Sequence, residues 1–367
     1  MKIAYIGLRG IPASYSGVEK AVEEIGSRLS EKHDITVYCM KRKYIDRPAT
    51  YKGMKLEYIP SLPGKNVEMI SYAFLSTLRA CFSRADIIHF HAIGPSSFAL
   101  LARLFLKKTI STNHGLDWKR AKWGKIAKLY LQFGEYVSAK FTHATISVSG
   151  YIKDYYKEKY GAQLYYIPNG KDNAQNVKVN LNALDRFKLH KGKYLLFVGR
   201  VTPEKGIQNL CQAFCKMSKS DLKLAIVGGS IDDYKNRLAD EFKHNADIIF
   251  TNPIYDRNEL AGLYTNANMF VLPSEIEGQS IVILEALSYG CRVLASDIPE
   301  NKDLLKHFGN YFEVGNITNL QETLMVLSKS IDKPDPLEIT AYLQLHNWDK
   351  IALDTETLYK KIIKKGN

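Results

Sequence analysis

The chain has 367 residues, 46 % of them hydrophobic, and a formal net charge of +13. That length is too great for one ordinary core, so two domains are expected. No window approaches the roughly 18 to 20 apolar residues that span a bilayer, and the opening MKIAYIGLRG reads as a strand and a glycine turn rather than a signal peptide, so a cytoplasmic protein is expected. Residues 1–170 hold 26 Lys and Arg against 13 Asp and Glu, whereas residues 171–367 hold 25 of each kind, so the whole excess lies in the first half. A basic half implies an anionic partner such as lipid headgroups or a phosphate-bearing acceptor, and no nucleic-acid motif accompanies it.

In chain order, Lys2 to Gly7 reads as a strand and the segment from about Val18 as a helix with Val18, Ala21, Val22, Ile25 and Leu29 on one face. Glu24 and Arg28 are spaced to pair, and Asp34 to Tyr38 is the second strand. This is the opening of a doubly wound α/β domain, whose ligands sit beyond the carboxyl ends of the strands. Gly7 and Gly10 give G-x-x-G without G-x-G-x-x-G, which counts against a nicotinamide enzyme. Gly17, just ahead of the helix, permits close backbone approach to a phosphate or sugar; a plain turn reads the same.

Ala85 to Phe90 is a buried strand that puts His89 and His91 on one side. No third metal ligand is spaced to join them, so packing is expected of His89 and a cleft wall of His91. His114 follows the strand Thr109 to Asn113, where α/β loops carry function. Further on, Ile126, Tyr130, Phe133 and Val137 make one apolar helical stripe. Trp118, Lys119, Arg120, Lys122, Trp123 and Lys125 crowd its start. Tryptophan with lysine suits a membrane or acceptor contact; a core-packed helix with a solvated basic face is the other reading.

Polar, aperiodic residues 171–193 are expected to link a first domain, 1–170, to a second, 194–341, with a final helix over 342–367. Tyr194 restarts the alternation with YLLFVGR. Arg200 and Lys205 bracket the next turn, and two cations beside a helix start suit a diphosphate. Thr251 to Tyr255 is a loop where backbone can meet a nucleobase. The stretch PSEIEGQSIVILEALSYGCRVLAS then reads as loop, helix from about Ser280, and strand. It places Glu277 in the loop and Glu285 about two turns into the helix, where both carboxylates can face one crevice beside the backbone N–H groups of Gly278 to Ile281. Carboxylates for hydroxyls and a helix start for phosphate suit a sugar nucleotide; two solvated glutamates are the plainer reading.

Together these motifs resemble the family-four retaining glycosyltransferases of the GT-B fold. SEIEGQSIVILEALSYGCRVLASD is similar to their E-x7-E signature, GRVTPEKG to their G-R-x-x-x-x-K-G diphosphate motif, YSGVE to their G-G-x-E loop and IPNG to their end-of-domain turn. IGLRGIPASYSGVE, HFHAIGPS and HGLDWKRAKWGK come nearest to bacterial rhamnosyltransferase-like enzymes of capsule, O-antigen and cell-wall polysaccharide synthesis. The sequence departs from the pattern at Ser16, where a glycine is usual, and at EGQS, where E-G-F-G is usual.

The resemblance implies two Rossmann-like α/β domains facing a cleft, with the last helix crossing back to the first. It implies that Arg200 and Lys205 neutralise the donor diphosphate with Gly17, Gly278, Gln279 and Ser280 nearby. Glu285, Ile281 and Ile254 would meet the nucleoside, Glu277 would hold sugar hydroxyls, and His114 would lie near the reacting sugar. The expected activity is retaining transfer of a hexose or deoxyhexose from a UDP-, dTDP- or GDP-sugar to a polyprenyl-diphosphate-linked or glycan acceptor at the inner face of the cell membrane. There is no D-x-D motif, so neither metal nor cofactor is expected. A sugar-nucleotide epimerase and a non-catalytic sugar-nucleotide-binding subunit are the alternatives.

Overall fold

KIAYI, IIHFH and YLLFV are short runs, largely apolar, with almost no exposed position, the pattern of strands covered on both faces of a parallel sheet. In the computed structural model each becomes a central strand. The residues it describes are 1–13, 17–64, 67–172, 177–217, 221–230, 232–330 and 335–364. Ser16, part of the expected linker, 173–176, and the end of the expected final helix, 365–367, lie outside them. The chain divides into unit 1, Met1–Gly170 with Trp348–Asn367, and unit 2, Lys171–Asn347.

In unit 1, β1 (Lys2–Ile6), β2 (Asp34–Met40), β3 (Thr50–Tyr51), β4 (Met54–Ile59), β5 (Ile87–His91), β6 (Lys108–Asn113), β7 (Ala144–Ser147) and β8 (Tyr165–Tyr166) form one sheet. Its order is β3-β4-β2-β1-β5-β6-β7-β8, parallel except between β3 and β4. The helices are α1 (Gly17–Leu29), α2 (Val67–Cys81), α3 (Ile93–Ser96), α4 (Ala99–Leu104), α5 (Lys125–Phe141) and α6 (Gly150–Tyr160). Ile6, Tyr38, Tyr72, Phe90 and Val137 share a core cluster. Arg28 and Glu24 pair at 2.7 Å, as their spacing predicts. The strand order reverses between β1 and β5, and ligands of doubly wound sheets sit at the carboxyl ends of such a pair.

In unit 2, α7 (Asn182–Arg186) precedes a six-stranded parallel sheet of β9 (Tyr194–Val198), β10 (Lys223–Val227), β11 (Ile248–Thr251), β12 (Met269–Leu272), β13 (Val293–Ser296) and β14 (Asn310–Phe312). The order is β11-β10-β9-β12-β13-β14, with the reversal between β9 and β12. Around it lie α8 (Ile207–Cys215), α9 (Tyr234–Glu241), α10 (Arg257–Asn266), α11 (Ile281–Ser288), α12 (Pro299–Leu305), α13 (Ile317–Lys329) and α14 (Pro336–Leu343). The stretch expected to be only a linker contributes α7, because Ala183, Leu184 and Leu189 are buried in the core of unit 2.

α15 (Trp348–Lys364) belongs to unit 1 and packs on α1. Arg28 reaches Asp349 at 2.6 Å and His33 reaches Glu356 at 2.9 Å. The helix starts at Trp348 rather than at residue 342, because 342–347 finish α14 and a tight turn in unit 2. The Trp348 ring lies where a Cβ on Gly170 would sit, 2.4 Å away, so the glycine of IPNG is a steric requirement.

Candidate active site

The reversal in unit 2 brings together the two loops that carry its candidate residues. After β9 come Arg200, which is half-buried, and the turn Pro203–Lys205; after β12 comes the loop 273–280 leading into α11. Two backbone contacts lock them. Glu275 N–H donates to the Glu204 carbonyl at 3.0 Å. Gly206 has φ +65°, and a Cβ there would sit 2.1 Å from the Pro273 carbonyl oxygen. Only glycine meets both demands.

The loops therefore deliver Lys205 and Glu277 to one place. The ammonium forms an ion pair with the carboxylate, and the Ser274 hydroxyl donates to the same oxygen at 2.6 Å. The Lys205 and Glu277 side chains are only 14 and 10 % exposed, so neither charge is well solvated. The Ser274 carbonyl in turn accepts from the Ser296 hydroxyl at 2.5 Å, tying the loop to β13. The pairing was not legible in the sequence, where the two residues are assigned separate ligands and stand 72 positions apart.

Glu285 lies one turn inside α11 rather than two, because the helix begins at Ile281. Its carboxylate accepts from the buried Tyr264 hydroxyl at 3.4 Å, and the Tyr264 ring stacks on Tyr289 at 5.7 Å. The neighbouring carboxylate and burial push the Tyr264 hydroxyl well above the ordinary phenol range, burial being the larger cause. Gln279, Ser280 and Ile281 are buried at the start of α11, Gly278 is half-buried, and Ile254 is half-buried against the core.

In unit 1 a column of histidines stands at the ends of β5 and β6. His89 and His91 stack at 4.3 Å, and His91 and His114 at 5.5 Å with 28° between ring planes. His89 is satisfied, as packing would require: Nδ1 meets the Tyr359 hydroxyl at 2.6 Å and Nε2 the Thr112 hydroxyl at 2.7 Å. Tyr359 donates to the Tyr5 hydroxyl at 3.1 Å, so His89 Nδ1 carries the proton and Nε2 accepts from Thr112. His91 Nδ1 lies 3.2 Å from His114 Nε2. His91 Nε2 and His114 Nδ1 are buried with no hydrogen-bond partner among the described residues.

A small cavity of about 20 Å³ adjoins them, lined also by Tyr5, Val22, Thr112 and Asn169. It has room for about one water. Burial holds His89 at about 3 and His114 at about 4, and, with repulsion from both neighbours, pushes His91 well below the usual range. The column is therefore neutral at physiological pH, a set of hydrogen-bonding groups rather than of cations. Among the described residues no group of three or more His, Cys, Asp or Glu is arranged to hold a metal ion.

The basic segment after β6 is pinned down. Trp118 Nε1 donates at 2.6 Å to Glu135, which is fully buried and also takes Lys159 at 2.8 Å and Tyr160 at 2.6 Å. Lys119 contacts the Tyr151 hydroxyl at 3.3 Å, and Arg120 pairs with Asp117 at 3.0 Å. Lys122 lies over the half-buried Trp123 ring at 4.8 Å, while Lys125 is exposed at the first position of α5. Gly17 is exposed at the first position of α1. The expected apolar stripe on α5 is split: Val137 is fully buried and Tyr130 half-buried, whereas Ile126 is 85 % and Phe133 48 % exposed. The inward face is set at Gly134, whose Cβ would lie 2.0 Å from the Ile93 carbonyl oxygen, so α5 meets α3 backbone to backbone.

Two largely parallel α/β units, each with candidate polar groups at its strand-order reversal, define the class: a two-domain, doubly wound α/β protein. Residues 15–175 match the family model Glycosyltransferase Family 4, and residues 183–342 match Glycosyl transferases group 1. The chain belongs to this glycosyltransferase family and has its GT-B fold. Sucrose-phosphate synthase from Thermosynechococcus elongatus superposes with TM-score 0.81 at 19 % identity, covering 99 % of each chain. HepE of Anabaena, solved with UDP and glucose, superposes with TM-score 0.79 at 15 % identity over 98 % of this chain and 100 % of that one. Among curated relatives, an uncharacterized 41.2 kDa protein in the cps region of Klebsiella pneumoniae is 26 % identical over 262 residues, 65 % of this chain and 68 % of that protein. The matched segments of the first relatives span 45, 68 and 62 % of their lengths.

Proposed function

We propose that the chain transfers a hexose or deoxyhexose, rhamnose-like in the nearest resemblance, from a nucleoside-diphosphate sugar to a lipid-linked or polysaccharide acceptor in cell-surface glycan synthesis. The observation that carries the reading is the Lys205–Glu277–Ser274 cluster at the β9/β12 reversal of unit 2. It is a cation and a carboxylate held at the strand ends where doubly wound sheets take nucleotides. The Klebsiella relative in a cps region supports a surface-polysaccharide setting, and the complex of HepE with UDP and glucose supports a uridine donor.

In this reading Arg200 and Lys205 offset the diphosphate charge without a metal, and the start of α11 from Gly278 to Ser280 adds backbone donors. Glu285 and Ile281 meet the nucleoside with Ile254, and Gly17 approaches the diphosphate. Glu277, released from Lys205 when the diphosphate arrives, takes sugar hydroxyls, and His114 Nδ1 offers a neutral hydrogen bond to the reacting sugar. Transfer retains configuration: the acceptor oxygen bonds to the anomeric carbon on the face the diphosphate leaves, and the departing oxygen takes the acceptor proton.

The test is a panel of UDP-, dTDP- and GDP-sugars incubated with the purified chain, following nucleotide release and glycan product. One donor should be consumed, and Glu277→Ala should abolish turnover. Interconversion of the donor sugar without nucleotide release would indicate an epimerase, and donor binding without turnover a binding subunit; either result refutes the proposal.

A further inference from the structure

One face of unit 1 carries apolar side chains that the fold leaves in water. Along α5, Ile126, Leu129, Phe133 and Tyr136 are 85, 65, 48 and 44 % exposed. Their spacing of three, four and three residues makes one outward stripe, about 15 Å long at the helical rise. The stripe continues beyond the helix. Tyr136 meets the Phe141 ring at 5.8 Å, and Arg103 donates to the Phe141 carbonyl at 2.9 Å, which brings the end of α4 alongside. There Leu104 is 81 % and Leu106 90 % exposed, and Phe105 packs edge-on at 5.1 Å against Phe82, itself 76 % exposed. Leu106 has φ +56°, a left-handed conformation unfavourable for leucine. A strained, water-facing leucine beside an uncovered aromatic pair is unfavourable for the isolated chain on both counts.

The segment that carries the face is strongly basic. Residues 99–150 hold nine Lys and Arg against two acids. Of those acids, Glu135 is buried and paired with Lys159, and Asp117 is paired with Arg120. Lys125 and Lys140 flank the stripe exposed.

We infer that this face, the α5 stripe with the α4 tip, seats on an anionic lipid bilayer, the apolar side chains entering the headgroup boundary and the lysines meeting the phosphates. A second copy of the chain fits poorly, since it would bring two basic segments together. A bilayer supplies both hydrocarbon for the stripe and negative charge for the lysines. The inference deepens the reading of a membrane-borne acceptor and moves the docking surface away from Trp118, whose indole is committed to Glu135.

The experiment is flotation of the full chain with phosphatidylglycerol/phosphatidylcholine vesicles, compared with phosphatidylcholine alone. Binding to the anionic vesicles is expected. I126Q/L129Q and L104Q/L106Q should each weaken it on the order of tenfold or more. K140E should weaken it by about fivefold or more. K361E/K364E, on the lysine-rich end of α15, should have little effect. Equal loss from the α15 variant and none from the glutamine variants overturns the inference in favour of undirected charge attraction. A wild-type chain that ignores the vesicles and sediments as a dimer, dissolved by I126Q/L129Q, overturns it in favour of a second copy. Donor hydrolysis, measured on the same variants without lipid, should stay at the wild-type level. That separates failure of the surface from failure of the transferase reading.

Discussion

His91 Nδ1 and His114 Nε2 stand 3.2 Å apart, close enough to share one proton. With Nε2 so occupied, only Nδ1 of His114 is left for a ligand, and the bond to His91 sets whether that atom donates or accepts. If His114 serves the reacting sugar, His114→Ala should lower kcat by about a hundredfold or more. His91→Ala should lower kcat while leaving the donor KM nearly unchanged, and His91→Asn should restore part of the loss. A His91→Ala enzyme with wild-type kcat would remove the positioning role.

The depressed histidines make stability pH-dependent. In the unfolded chain each titrates near 6.5, while burial holds His89 at about 3 and His114 at about 4. Asp117 works the other way at His114, though less strongly than burial. Below about pH 6.5 the unfolded chain takes up protons that the folded chain refuses, so this stability is complete above about 6.5 and is lost as pH falls toward about 4. The Tm of the transition that carries unit 1 should drop by about 5 °C or more between pH 7 and pH 5. A flat Tm over that interval contradicts the assignment of neutral buried rings.

Tyr359 reaches from α15 to both His89 and Tyr5. Tyr359→Phe keeps the ring and removes both bonds, leaving His89 Nδ1 buried without a partner. A loss of about 1 to 3 kcal/mol in denaturant unfolding is expected, with donor binding to unit 2 unchanged by calorimetry.

Lys205 and Glu277 neutralise each other at a site where both are poorly solvated. Removing either alone strands the other charge, so Lys205→Met and Glu277→Leu should each destabilise by on the order of 3 kcal/mol. The double variant should lose less than the sum. Both single variants should also lose donor turnover by about a hundredfold or more. Strict additivity in unfolding would show that the pair does not form in solution.

Gly206→Ala should cost on the order of 2 to 4 kcal/mol, from a left-handed backbone together with contact against the Pro273 carbonyl oxygen. Because that contact sets the distance between the Lys205 and Glu277 loops, donor affinity should fall with it. Isothermal titration with nucleoside diphosphate checks the second half, and unchanged affinity would show the loops to be positioned independently.

Much of this molecule was legible in its residues alone. Runs such as YLLFV and MFVL are apolar throughout because both faces of a central parallel strand are covered, and Gly290 ends α11 because a left-handed turn follows it. Local chemistry of that kind needs no knowledge of distant neighbours. Tertiary structure alone decided which groups meet. Glu277 is spent on Lys205, His89 on a tyrosine 270 positions away, and Trp118 on Glu135. It also decided which face of α5 is buried, since a helix with apolar residues on several sides turns inward the side whose glycine lets another backbone approach. Pairings across the chain depend on the order of strands in the sheet, and hydrophobic periodicity carries no record of that order.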